Sequence, residues 1–235
     1  MKLFCLPHAG GNAAFFDNLR NELQPGNVKV CALDYPGHGT RRKEECADSI
    51  ENLAKDMIAK IVSEFDGEEY AIFGYSMGCV VAAEVLRRII KAQNILEPSH
   101  MILAAHAPKT LNQLRGINEG TVDDLLKQRT IAFGAVPESL INNSTFWRTY
   151  MPYFRSDYEM LSKFDFDLFD LQTRIPATIL YSEEDTPFNE IVLWNNYFKG
   201  ENKYVPYNGN HFFLKNNIAE IANLISNRLR LGKGD

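Results

Sequence analysis

The sequence predicts an α/β fold, a mostly parallel central sheet flanked by helices and interrupted once by a helical insertion. Three observations lead there. Short apolar runs alternate with longer stretches of helical period along most of the chain, the pattern of a parallel sheet with crossover helices. A serine bracketed by glycines, in IFGYSMGCVV, sits where one apolar run changes its period. Residues 108–172 carry no strand-like run, yet hold three helix-like pieces rich in aromatics.

Taken in order, the strands are KLFCLP (2–7), VKVCALDY (28–35), YAIFG (70–74), MILAAH (101–106), ATILYS (177–182) and KYVPY (203–207). The clearest helix covers 48–65, with Asp48 as N-cap and Ile50, Leu53, Met57, Ile58, Ile61 and Phe65 on one face, at the i, i+3, i+4, i+7 spacing of a stripe that packs on a sheet. Further helices are read over 76–92, 187–199 and 216–230, the last repeating Ile218, Ile221, Leu224 and Ile225.

In the insertion, TVDDLLKQRTIAF, FWRTYMPYF and DYEMLSKF are the helical pieces. A structureless loop of that length does not suit a compact domain, so 108–172 reads as a helical subdomain folded over one end of the sheet, with a plain share of the core as the alternative. Phe133, Phe146, Trp147, Tyr150, Tyr153, Phe154 and Tyr158 are more aromatic surface than solvent tolerates, so they cover something or are covered.

At 235 residues and 45% hydrophobic content the chain can bury a full core, and one domain over 1–235 is expected. Its formal charge of −5 argues against a nucleic-acid surface, which usually presents a basic stripe. No apolar window of ~18 residues suggests a membrane span, and MKLFCLPHAGG lacks the features of a signal peptide, so a cytoplasmic protein is expected. Cys5, Cys31, Cys46 and Cys79 show no C-x-x-C spacing and read as reduced thiols, three of them within apolar runs. No metal cluster, phosphate loop or G-x-G-x-x-G is found, so no metal or cofactor is expected.

The five letters G-x-S-x-G are weak evidence alone; their setting strengthens them. Tyr70, Ala71, Ile72 and Phe73 read as a buried strand and Val80 to Leu86 as a helix. Gly74 to Gly78 must therefore be the strand-to-helix turn, the placement of a nucleophile elbow, where a strained serine exposes its Oγ. The simpler alternative is Ser76 as an ordinary N-cap. The same turn sets the amide of Met77 at the positive end of the following helix, ready to donate to a developing oxyanion.

A serine hydroxyl needs a base, and this kind of site prescribes the chain order serine, acid, histidine. Of the five histidines, His211 in YNGNHFFL follows the last strand and precedes the last helix, whereas His8, His38, His100 and His106 fit the order badly. For the acid, SEEDTPF offers Glu183, Glu184 and Asp185. Asp185 lies furthest along the turn, just before Thr186-Pro187, and is the choice; its role would be to hold the imidazole tautomer and stabilise the imidazolium. As an N-cap for the next helix it would also be comfortable. Glu183 and Glu184 are expected to face solvent. The second oxyanion amide should come from LPHAGGNAAFF, residues 6–16, with Ala9 as the candidate.

CLPHAGGNAAFF, ALDYPGHGTR, GYSMG and GNHFFL, in this order and spacing, resemble the type II thioesterases associated with nonribosomal peptide and polyketide synthases, and FGAVPESL and MPYFRSDYEM resemble that family's lid. The likeness runs almost end to end. It implies an α/β-hydrolase core with a mobile helical lid over about 108–172, and a nucleophile, acid and base at Ser76, Asp185 and His211. It also implies a monomer that hydrolyses acyl groups from the phosphopantetheine arm of acyl- or peptidyl-carrier proteins, clearing mis-primed synthases.

Two departures stand out: Tyr75 replaces the family's usual histidine, and Asn208-Gly209-Asn210 replaces its glycine pair. Both can alter the pocket mouth or acyl preference; neither removes a reacting group. A carrier protein is usually acidic, which directs attention to Lys109, Arg115, Lys127, Arg129, Arg148 and Arg155 in the insertion, with solvated surface as the alternative. Two rival functions remain: a carboxylesterase or lipase on oxygen esters, and a non-catalytic hydrolase-fold accessory protein.

Overall fold

A computed structural model describes residues 1–110 and 119–231. Six strands form one sheet: β1 (Lys2–Leu6), β2 (Lys29–Ala32), β3 (Tyr70–Tyr75), β4 (His100–Ala104), β5 (Ala177–Tyr181) and β6 (Asn202–Pro206). Their spatial order is β2-β1-β3-β4-β5-β6, and every neighbouring pair is parallel. The chain steps from β1 out to the edge, then crosses back to β3. The carboxyl ends of β1 and β3 therefore flank a point where connections diverge, the place where open α/β sheets bind ligands.

Successive side chains of a strand face opposite sides, and the core divides accordingly. Phe4, Leu6, Tyr70, Ile72, Met101, Leu103 and Ile179 join one hydrophobic cluster; Leu3, Cys5, Ala71, Phe73, Tyr75, Ile102 and Leu180 join the other. The first is covered by α2 (Ile50–Glu64) and α3 (Met77–Ala92), the second by α1 (Asp17–Leu23) and α8 (Ile218–Leu231). Cys5, Cys31 and Cys79 are buried, and all four cysteines are free thiols. Among the described residues, no helix is long and apolar enough to cross a membrane.

The six predicted strands occur within two or three residues of their expected ends. Two helical expectations need correction. Helix α2 is capped by Ser49, whose hydroxyl accepts from the Asn52 amide, and not by Asp48; Asp48 instead accepts from the Ser49 hydroxyl and the Asn52 side chain. The helix expected over 187–199 is only α7 (Phe188–Ile191), capped at Pro187, followed by a tighter 3-10 turn over Val192–Asn196. That tightening lets Trp194 bury fully and donate to the His106 carbonyl at 2.8 Å. Helix α1 has too short an apolar stripe for periodicity to mark it, only Leu19 and Leu23 with Phe16 of the preceding turn.

Between β4 and β5 lie α4 (Glu119–Ala132), α5 (Glu138–Ile141) and α6 (Ser144–Lys163). Two of the predicted pieces merge into α6 despite Pro152 in its interior. Proline removes one helical bond, but Trp147, Met151, Phe154, Tyr158 and Leu161 form a continuous buried stripe, and packing overrides the local preference.

Candidate active site

Residue 76 leaves β3 with φ 53 and ψ −117, a conformation outside the ordinary regions for a side-chain-bearing residue. Glycines on either side make the turn possible. A Cβ at Gly74 would stand 2.3 Å from the Gly78 carbonyl oxygen, and one at Gly78 would stand 2.1 Å from that of Leu6. The Ser76 amide donates to the Ala104 carbonyl at 2.8 Å, tying the turn to β4. The side chain makes no capping bond to α3, so Ser76 is not an ordinary N-cap. Its Oγ points instead to His211.

His211 Nε2 lies 2.9 Å from Ser76 Oγ, and its Nδ1 lies 2.9 Å from Asp185 Oδ1. A carboxylate only accepts, so Nδ1 carries the proton and Nε2 is left to accept from the serine hydroxyl. Both Asp185 and His211 side chains are under a tenth exposed. Asp185 Oδ2 also accepts from the Thr186 hydroxyl at 3.2 Å. Two further bonds tie the β5 exit to the histidine loop: Ser182 Oγ donates to Gly209 O at 2.5 Å, and Gly209 N donates to Glu184 Oε1 at 3.1 Å. Glu183 and Glu184 are exposed, and Asp185 caps no helix.

A cavity of about 160 Å³ opens onto Ser76, Asp185 and His211, with Ala9, His106, Arg129, Phe133 and Tyr158 in its wall. Burial pushes the imidazoles of His8 and His106 down to about 4, so both stay neutral near pH 7 beside His211. A second crevice, of about 20 Å³, reaches Ser76 and His211 from the side of His8, Phe154 and Phe212.

Residues 1–229 match the model of the thioesterase domain. The chain belongs to that family. It is 29% identical over its full length to the thioesterase PikA5 of Streptomyces venezuelae, covering 83% of that protein. It is 27% identical to the medium-chain S-acyl fatty acid synthase thioesterase of Rattus norvegicus, over 96% of this chain and 89% of that one. Among solved structures it is similar to the type II thioesterase BorB from the borrelidin biosynthetic cluster, with a TM-score of 0.81 and 26% identity, over 97% of this chain and 92% of that one. The fold is that of the α/β hydrolases, shared also with a lipase-esterase related protein of Clostridium acetobutylicum at a TM-score of 0.71.

In this thioesterase-domain chain the two residues expected to supply oxyanion amides both lie close to Ser76. Met77 begins α3, and Ala9 lines both the cavity and the crevice beside Ser76. Neither of the two departures, Tyr75 and Asn210, lines the cavity or the crevice. Tyr75 is fully buried, and its hydroxyl donates to the His211 carbonyl at 2.7 Å, supporting the imidazole from its own backbone. Asn210 Oδ1 accepts from the Phe212 amide at 3.0 Å, ordering the turn that follows the histidine.

The basic residues of the insertion are largely engaged. Lys109 pairs with Glu190, and Arg155 pairs with Asp123 at 2.6 Å. Lys127 lies over the Trp147 ring, and Arg129 over Phe133 and Tyr158. Arg148 is exposed, while Arg115 lies outside the described residues.

Two relationships escaped the sequence reading. Phe133, at the end of α4, stacks on His211; the aromatic excess of the insertion pointed to covering, though not to what. Asp157 of α6, fully buried, meets His38 across 119 residues of chain with no pattern to announce it.

Proposed function

We propose that this thioesterase-domain chain is a type II thioesterase that hydrolyses acyl thioesters of phosphopantetheinyl carrier proteins, with Ser76 as nucleophile, His211 as base and Asp185 as its orienting acid. The observation that carries the reading is the unbroken run of hydrogen bonds from Ser76 to His211 to Asp185, under 3 Å at each step, at the carboxyl ends of β3, β5 and β6 in a chain of this family. The likeness to PikA5 and BorB supports the biosynthetic setting.

Mechanism follows from the atoms. Ser76 Oγ attacks the thioester carbonyl while its proton passes to His211 Nε2, and Asp185 stabilises the resulting imidazolium. The amides of Met77 and Ala9 donate to the oxyanion. Collapse breaks the C–S bond, and the departing thiolate takes the proton from His211. Water then attacks the acyl-serine ester with His211 again as base, releasing the carboxylic acid and restoring Ser76.

The helical segment acts as the lid in this reading, since Arg129, Phe133, Tyr158 and Leu161 wall the cavity above Ser76. With most basic side chains of the insertion already paired or packed on rings, shape around the pantetheine arm contributes more to carrier recognition than a broad positive face.

The test is a comparison of rates on short-acyl carrier proteins, acyl-pantetheine and simple oxygen esters. Carrier-bound thioesters should be hydrolysed fastest; oxygen esters cleaved far faster would make the chain a carboxylesterase. A fluorophosphonate should label Ser76 alone, and no labelling of the folded protein would point to an accessory role.

A further inference from the structure

Outside the Ser76 centre the molecule holds a second histidine–aspartate pair. Asp157 of α6 is 0% exposed, and a buried carboxylate requires partners. Its Oδ2 accepts from the Gly10 amide at 2.7 Å and from His38 Nε2 at 3.0 Å. The other ring nitrogen, Nδ1, faces the Pro36 carbonyl at 3.0 Å. With an acceptor at each nitrogen, the ring must donate from both and is the cation of the pair. Neither nitrogen is left to take a proton, so this pair cannot act as the base that His211 can be.

What it does instead is hold three segments at one point: α6, the loop after β2 that carries Pro36 and His38, and the loop after β1 that carries Ala9 and Gly10. Gly10 has φ 71, and a Cβ there would lie 2.0 Å from Phe154 Cε1. Phe154 and Asp157 are one helical turn apart on the same buried face of α6. One of them presses on Gly10 while the other accepts its N–H. The peptide joining residues 9 and 10 is thereby fixed by the insertion helix, and the amide of Ala9 lies one residue earlier.

We infer that Asp157 is a positioning residue for the reaction: by accepting from Gly10 N–H it sets the backbone of the 8–11 loop so that the Ala9 amide meets the oxyanion. The inference rests on Ala9 as a donor, as proposed above. It makes the insertion helix a part of the oxyanion site's geometry as well as a cover over Ser76.

The experiment measures Asp157→Asn with hexanoyl-pantetheine and with an alkyl trifluoromethyl ketone, whose serine adduct carries an oxyanion. Asparagine keeps the size, loses the charge and weakens the acceptor for Gly10. The expected result is a fall in kcat of about tenfold to a hundredfold with KM unchanged within twofold. The ketone should weaken by the same factor as kcat, while binding of hexanoic acid stays level. A merely structural role would not separate these quantities. Unchanged kcat and ketone affinity, or a loss shared by KM and the product acid, would overturn the inference.

Amide NMR of the wild-type protein supplies a readout that survives if the variant does not fold. Ketone binding should move the Ala9 amide proton strongly downfield, with the Gly10 amide already downfield in the free protein from its carboxylate bond. An Ala9 proton that stays put would overturn both the donor assignment and the inference. An ordinary Gly10 shift beside a responding Ala9 would overturn the role of Asp157 alone, leaving the proposed hydrolysis intact.

Discussion

The ring of Phe133 lies stacked on the imidazole of His211, centroids 4.3 Å apart and planes inclined by 18°. Phe133 follows α4, so the insertion packs an aromatic ring against one face of the imidazole. An aromatic pair of this kind contributes about 0.5–1.5 kcal/mol, which converts to up to about tenfold in rate. Phe133→Ala should lower kcat/KM on acyl-pantetheine by about that factor, and Phe133→Leu by less. Equal rates for wild type and Phe133→Ala would show that the stack does not orient the base.

The hydrogen bonds through His211 set a sharper expectation. Ser76→Ala and His211→Ala should each lower turnover by orders of magnitude while circular dichroism and Tm stay near wild type, because groups acting as a unit are lost together. Asp185→Asn keeps the shape but disturbs the tautomer, and a loss of about 10⁴ is the guide from comparable sites. Glu183→Gln and Glu184→Gln should retain most activity, since both side chains are exposed. A larger loss at either glutamate than at Asp185 would place the acid on the wrong residue.

The elements that could be read from sequence were those whose physics is local. Gly74, Ser76 and Gly78 mark a turn between two periodicities, and His211 and Asp185 follow strands β6 and β5 as chain order requires. Phe133 and Asp157 could not be read this way. Their partners lie 78 and 119 residues away, brought near only by the packing of α4 and α6 on the strand ends. Pro152 leaves α6 unbroken because a long buried stripe outweighs one missing helical bond. Trp194 shortened a predicted helix by demanding burial of its ring and a partner for its N–H.

Tyr75 offers a test of support without chemistry. Its hydroxyl donates to the His211 carbonyl from a fully buried position. Tyr75→Phe strands that acceptor, a loss of about 1–3 kcal/mol, or several degrees of Tm for a domain of this size. Activity should fall modestly, with fluorophosphonate still reaching Ser76. If Tm held and the rate fell a thousandfold, the hydroxyl would have a direct part in the reaction that its place beneath the histidine does not suggest.

The remaining histidines predict how stability follows pH. Burial lowers the imidazoles of His8, His100 and His106 to about 4, so the folded protein keeps them neutral where the unfolded chain, near ~6.5, has protonated them. Unfolding between those values takes up protons, and each contributes a slope of about 1.4 kcal/mol per pH unit, stability rising with pH. His38 has the opposite sign. Burial lowers it, but the bond and charge of Asp157 more than reverse this and leave it raised. Its contribution is whole below ~6.5 and fades as pH climbs through the folded value. Three groups against one make the acid side steep. His100 sits at the far end of the sheet from Ser76, its Nε2 2.9 Å from Thr178 Oγ1, so it can be changed without touching the cavity. In urea titrations from pH 4 to 7, His100→Gln should flatten the slope by close to one proton and leave kcat as in wild type. A slope identical to wild type would mean that His100 does not stay neutral in the folded protein.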